Sequence, residues 1–343
     1  MMPAGRPVRE PVVVQLAGWR LPNSPIRITN QPLGDEAFAA LLRDATRHKL
    51  IGVLAGAVGE GSIPVTPGQF EQVAEHHEAA MQVAIELEQT LLAAVDVLAE
   101  VDVEPIVLKG SALARTVALE PEHRTFGDVD LLVRSTEIPA VVAAFEGIGA
   151  RRAFESLGTE YDRRFAKSIT MRWKSHEIDI HRTLAPGPFG LRISEADLHR
   201  DRVPFDIGGR SLLAFDPERH LVHACLHAAL GDVEPFLANQ RDIGLLVTQP
   251  GLNHVRVLDL AARWKLEAPV AKGLLAAAKR LRLPASTSTA WAGAYRPSRQ
   301  ERFLLASYQR EQSRFRRTAA ASLLVLPWRD RPAYLRALTR RKY

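Results

Sequence analysis

Apolar residues recur at helical spacing from Asp35 to Ala57, through Phe38, Leu41, Leu42, Leu50, Val53 and Leu54, with Asp35 placed as an N-cap. A loop from Gly59 to Pro67 follows, and then one long helix is predicted from Gln69 to Ala99. Its Val73, Met81, Leu91 and Leu98 form a buried side, and Glu75, Glu78, Glu86 and Glu88 lie largely off it. The period then shortens. Pro105–Leu108 is an apolar run closed by Lys109-Gly110-Ser111, as a buried strand is before a tight turn, and Ala112–Leu119 reads as a short helix. Asp128–Val133 alternates and predicts a strand; Glu137–Ile148 is an amphipathic helix closed by Gly149. Arg163–Trp173 and Glu177–His181 read as strands around a turn at Lys174–His176. After a Pro/Gly-rich loop at Ala185–Gly190, Val203–Ile207 and Leu212–Phe215 form a strand pair joined by Gly208-Gly209. From Pro217 the pattern is helical: Glu218–Leu230, Pro235–Val247, His254–Trp264, Val270–Leu281 and a basic end. Residues 1–34 are Pro-rich and aperiodic, an irregular arm with a strand at Val12–Leu16.

A mixed segment between helical ones predicts an α+β fold: a small mixed β-sheet core flanked by helices, with a C-terminal helical domain. The expected division is residues 1–100 as an N-terminal arm and helices packing on the core, 101–215 as the α/β core, and 216–343 as the C-terminal helical domain. Over 343 residues, 46% hydrophobic and 24% charged content excludes the disordered, collagen-like and coiled-coil classes. Charge is unevenly placed. From Arg296 to Tyr343 thirteen Lys and Arg face three Asp and Glu, a net of +10, which leaves −4 for residues 1–295. A basic end suggests contact with polyanions such as RNA, against the plainer reading of solvated helix faces. The single cysteine, Cys225, cannot form an intramolecular disulfide, and Val12–Leu16 is too short and too interrupted for a signal peptide. The stretch from Ala319 to Trp328 is about half of a bilayer span. Together these lead to an expected cytoplasmic location with no membrane segment.

Three features of the mixed segment carry chemistry. Gly110-Ser111 stands at a strand-to-helix turn, where glycine permits close backbone approach and a hydroxyl adds a hydrogen bond, a cradle suited to phosphate. Asp128 and Asp130 are i and i+2 on one strand, so both carboxylates project to one face while Val129, Leu131 and Val133 face the core. Paired carboxylates repel, and a divalent cation such as Mg²⁺ removes that penalty. Asp179, between Ile178 and Ile180, shares its face with His181 and offers a third carboxylate from another strand. Lys109 and Arg124 are placed to contact phosphate oxygens, though a lysine closing a strand also simply reaches solvent. His181 reads either as a base beside the site or as a packed strand histidine.

The order Gly-Ser, Asp-x-Asp and a later strand Asp resembles the DNA polymerase β-like nucleotidyltransferase superfamily. Val107-Leu108-Lys109-Gly110, Arg124 and Asp128-Val129-Asp130-Leu131-Leu132-Val133 are similar to its uncharacterised nucleotidyltransferase subgroup. The match is best over residues 105–182 and extends weakly to His220–His227 and Arg241-Asp242-Ile243. The interval of residues 112–127 between Ser111 and Asp128 is longer than the wider superfamily usually has. The resemblance implies an enzyme that transfers an NMP group from an NTP to a hydroxyl acceptor, a small molecule, peptide or RNA, with pyrophosphate release. It also implies Asp128, Asp130 and Asp179 as catalytic metal ligands for Mg²⁺, two ions in a two-metal displacement, with Gly110 and Ser111 on the β- and γ-phosphates.

Rival readings remain beside this one. A degenerate protein that only binds a nucleotide or a partner would not need three converging carboxylates. A helical phosphohydrolase would need an adjacent His-Asp pair, which the His-rich helix lacks. His220, His223 and His227 line one helical face without a Cys or carboxylate partner for zinc, so packing is their favoured role. Arg241-Asp242 reads as a helix pair salt-bridged with other neighbours.

Overall fold

The computed structural model describes residues 11–24, 26–231, 236–309 and 313–339. Helices α1 (Val12–Ala17), α2 (Asp35–Arg47) and α3 (Ile51–Gly59) lead into the long α4 (Pro67–Ala99). The expected strand at Val12–Leu16 is thus a helix, and residues 1–10 of the arm lie outside the described residues. An apolar run of this length fits either element, and tertiary contact decides it. Arg241 donates to the Ala17 and Trp19 carbonyls at 2.9 and 2.6 Å, closing the helix from a distant part of the chain. The helix expected over Asp35–Ala57 is two helices, because Lys49 adopts a left-handed φ of +58° between them. Gly34, rather than Asp35, is the N-cap. α4 begins two residues before Gln69, where Thr66 and Gln69 form a reciprocal capping box ahead of Pro67.

The middle of the chain runs β1 (Ile106–Leu108), α5 (Gly110–Thr116), β2 (Val129–Leu132), α6 (Ile138–Gly147), β3 (Arg151–Arg152), α7 (Thr159–Arg164), β4 (Ser168–Trp173) and β5 (His176–His181). Short helices α8 (Gly187–Gly190) and α9 (Glu195–Leu198) precede the hairpin of β6 (Arg202–Ile207) and β7 (Arg210–Phe215). Gly208 and Gly209 turn that hairpin with φ of +56° and +78°, the left-handed pair a two-residue connection of this kind demands. The strand expected from Arg163 starts only at Ser168. Arg163 and Arg164 instead end α7, whose Asp162 accepts from Arg152 and Ser156, and residues 165–167 turn into β4. Seven strands pair in the order β3-β4-β5-β2-β1-β7-β6. β5 is parallel to β2 and β1 to β7, while every other pair is antiparallel.

Alternation splits the sheet into two faces. Val107, Val129, Leu131, Ile178 and Ile180 pack on one side with Leu91 of α4 and Phe145 of α6. Ile106, Leu108, Leu132 and Phe215 pack on the other with α10 (Pro217–Leu230). Behind α10 lie α11 (Leu237–Val247), α12 (His254–Arg263), α13 (Glu267–Leu281), α14 (Thr287–Ala294), α15 (Arg299–Ala306), α16 (Arg314–Val325) and α17 (Arg331–Leu338). The expected Pro235 start of α11 lies outside the described residues. The result is the mixed sheet core, flanked by helices and followed by C-terminal helices, that the pattern predicts. The cores run across residues 100 and 215: α4 joins the sheet cluster, and Leu237 and Leu281 join that of α1–α3. No helix among the described residues is long and apolar enough to cross a membrane.

Candidate active site

Strand register brings the aspartates together. Asp130 lies directly beside Asp179 across the parallel β2–β5 pair, and beside Leu108 across β1. Its neighbours Val129 and Leu131 are buried on the opposite face, so both carboxylates face the α10 side. Asp128 stands one residue ahead of β2. These three residues, with Lys109, Gly110 and Arg124, line one cavity of about 520 Å³, a volume suited to a small ligand.

Asp130 is the buried centre of the group. Its Oδ1 accepts from His181 Nε2 at 2.6 Å and pairs with Lys109 Nζ at 2.8 Å. Its Oδ2 is buried with no hydrogen-bond partner among the described residues. Burial alone would raise its pKa, but Lys109 and then His181 outweigh this and hold the carboxyl well below the ordinary aspartate range. Asp128 moves the other way: the neighbouring Asp130 charge, and then burial, raise its pKa. Burial would lower the Lys109 pKa, yet Asp130 and Asp128 together keep it above the usual lysine value. Lys109 reaches this position at a cost, with φ of +43° in the region that favours glycine. Asp179 Oδ1 accepts a short hydrogen bond from the Thr170 hydroxyl on β4.

Ligand atoms of Asp130, Asp179 and His181 lie within 4.8 Å of one another, a group able to hold a metal ion. Asp128 is outside that cluster and on the wall of the same cavity. His181 is fully buried, with Nε2 also 3.8 Å from Asp179 Oδ2, so it bridges the two carboxylates. Arg124 donates to both carboxylate oxygens of Asp242 at 3.0 and 2.9 Å and to the Gly110 carbonyl at 3.0 Å. That fork ties the cradle to α11. Arg241 and Asp242 turn to different neighbours: Asp242 is salt-bridged to Arg124, and Arg241 donates to the α1 carbonyls rather than to a carboxylate. A Cβ at Gly110 would meet only ordinary contacts at 3.5 Å, so its bare backbone leaves room on the cavity side rather than relieving a clash within the protein. Ser111 is buried in α5 and is not among the residues lining the cavity.

Other residues of the cavity carry no motif. Lys167 lines it from the turn before β4, Phe126 from the long interval after α5, and Phe236 from the start of α11. Arg314, Phe315 and Thr318 of α16 close the far wall, so part of the basic end belongs to the site. His223 and His227 line the cavity, whereas His220 packs edge-on to Phe215 at 5.8 Å.

A glycine-led turn after a strand, an Asp-x-Asp strand and a third aspartate on the neighbouring parallel strand are the features that carried the nucleotidyltransferase resemblance, and the structure brings them to one cavity. The chain belongs to the family described as uncharacterised nucleotidyltransferase, whose model matches residues 35–282. Two solved structures of antibiotic-resistance factor ANT(2'')-Ia are similar to it. Its solution structure is 18% identical, covers 54% of this chain and 91% of that one, and has a TM-score of 0.37. The crystal structure with adenylyl-2''-tobramycin is 19% identical, covers 54% and 97%, and has the same TM-score. Among curated proteins no match is found.

Proposed function

We propose that the cavity binds an NTP together with Mg²⁺ and transfers its nucleotidyl group to a hydroxyl acceptor, with release of pyrophosphate. The observation that carries the reading is Asp130 Oδ2, a buried carboxylate oxygen left without a partner beside Asp128 and Asp179. An ionised oxygen in that position is costly unless something cationic completes it. Oxygen donors on neighbouring strands suit Mg²⁺, and Asp128, Asp130 and Asp179 would hold it. When bound, a divalent cation supplies charge neutralisation at the phosphates and lowers the pKa of an attacking hydroxyl. His181 holds Asp130 through Oδ1 and so positions that carboxylate. Gly110 gives the phosphates close access, and Lys109 places a cation beside them. The acceptor hydroxyl gives its proton to water, its oxygen attacks the α-phosphorus, the bond to the β-phosphate's bridging oxygen breaks, and pyrophosphate leaves. In this reading residues 101–215 carry the chemistry, and segments 1–100 and 216–343 enclose it.

Calorimetric titration of each NTP, with and without Mg²⁺, tests the reading on the wild type and Asp130→Asn, with pyrophosphate release followed in parallel. Mg²⁺-dependent binding in the wild type, lost in the variant, is expected. Binding indifferent to both Mg²⁺ and the substitution overturns it. Binding without pyrophosphate release across a range of hydroxyl acceptors points instead to a nucleotide-binding protein without transfer.

A further inference from the structure

Two lysines on the cavity wall near the aspartates have no carboxylate partner among the described residues; Lys49 lies over the Phe236 ring at 5.6 Å, and Lys167 has no such contact. Its backbone is fixed: the carbonyl accepts from Arg182 at 2.9 Å and Thr183 at 3.3 Å, directly after β5, and the next residue, Ser168, pairs with His181. Its side chain lines the cavity, and no described residue forms an ion pair or hydrogen bond with its ammonium. Asp130 Oδ1 is taken by Lys109 and His181, and Asp179 Oδ1 by Thr170, while Asp130 Oδ2 and Asp128 have no hydrogen-bond partner among the described residues. Burial, and then the like charge of Lys109, lower the Lys167 pKa, while Asp130, Asp179 and Asp128 support the ammonium. A desolvated cation facing an open cavity without a partner is placed for an anion.

The sheet order says which part of that anion. Along β4-β5-β2-β1, Lys167 precedes β4 and Lys109 follows β1, so the two lysines flank the Asp179–Asp130 pair from opposite sides. Lys109 adjoins Gly110, where the leaving phosphates lie in the proposed reaction. A triphosphate and three carboxylates also bring more negative charge than one or two divalent cations balance. Resting on that reading of the site, we infer that Lys167 is a catalytic residue that binds the non-bridging oxygens of the α-phosphate. Lys109 serves the β- and γ-phosphates.

The two lysines are separable without knowing the acceptor, because an NMP retains the α-phosphate and lacks the other two. Binding of NTP and of the matching NMP is measured by calorimetry for the wild type, Lys167→Met, Lys167→Arg and Lys109→Met. Lys167→Met is expected to weaken NTP and NMP alike, each by about tenfold, the loss of one charge-assisted contact. Lys167→Arg restores most of that affinity. Lys109→Met weakens NTP and leaves NMP within about twofold. Thermal melting of Lys167→Met should match the wild type, since no described group loses an ion pair. A Lys167→Met protein with unchanged affinities, or one weakened for NTP alone, overturns the assignment. So does a fall in melting temperature without loss of affinity, which marks a structural lysine. A wild type that binds neither nucleotide overturns the nucleotide reading itself.

Discussion

Two buried ionic clusters sit on the α10 side of the sheet, and they are built to opposite rules. At the start of α10, Asp216 caps the Arg219 N–H at 2.8 Å through Oδ1, and its Oδ2 pairs with both Arg219 and Arg256. Arg219 spends its remaining donors on the Asp197 carbonyl and Asp201, each at 3.2 Å. Glu218 accepts from the Asn253 N–H at 2.9 Å. The charges there meet partners, as a structural network requires. Around Asp130 the accounting stays open: Oδ2 has no partner among the described residues, the Lys167 ammonium has none, and Lys109 holds a backbone angle that favours glycine. Saturation marks the cluster that holds the fold. Residual demand, facing a cavity, marks the one that awaits a ligand.

The largest effect should separate the two clusters outright. Asp130→Asn should lower nucleotidyl transfer by about a thousandfold or more, because it removes the buried charge around which the proposed reaction arranges metal and phosphate. Labelled-nucleotide transfer, once an acceptor supports it, checks this, and wild-type rates in the variant would remove Asp130 from the chemistry. Arg219→Ala should do the reverse. Leaving Asp216 buried beside missing donors is expected to cost about 3–5 kcal/mol of stability in urea unfolding. The folded fraction should bind NTP as the wild type does. Should Arg219→Ala instead cut NTP affinity at full folding, the contrast between saturated and open clusters fails.

How much of this was written in the sequence differs between the clusters for a physical reason. Period-two alternation in Asp128–Val133 and Glu177–His181 fixes which side chains share a face, so the aspartates and their convergence were legible. The Lys109-Gly110 turn was legible too, from a short apolar run ending in glycine. What was not legible depends on distant contacts. Arg124 finds Asp242 across 118 residues, and Arg241 closes α1 across 224, so the adjacent Arg241 and Asp242 part company. Lys167 falls inside the strand expected over Arg163–Trp173, carries no motif, and sits in the structure in the turn before β4, where only the sheet brings it to the aspartates. The same holds for Arg314 and Phe315, which bring part of the basic end to the wall of the cavity. Val12–Leu16 shows the limit from the other side, since an apolar run takes its conformation from whatever covers it.

The smallest effect sharpens the comparison, because His220 breaks the simple form of the rule. Its Nε2 is buried without a partner among the described residues, yet it packs against Phe215 and lies outside the residues lining the cavity. If orphaned atoms alone marked function, His220 would belong to the site. Burial, and then the charge of Arg124, push its pKa down to about 3. The unfolded chain therefore takes up a proton near pH 6.5 that the native state refuses until about pH 3. Stability from this residue is complete above pH 6.5 and is lost as pH falls toward 3, by about 1.4 kcal/mol for each unit in that window. His220→Leu removes this proton uptake at similar volume. Whatever the variant costs at pH 7, its deficit relative to the wild type should shrink by about 1 kcal/mol between pH 6.5 and 5.5 in urea titrations. Its NTP affinity should stay within about twofold of wild type. A constant deficit across that range would mean the native protein accepts the proton, and a fall in NTP affinity would mean an orphaned atom needs no cavity to serve the site.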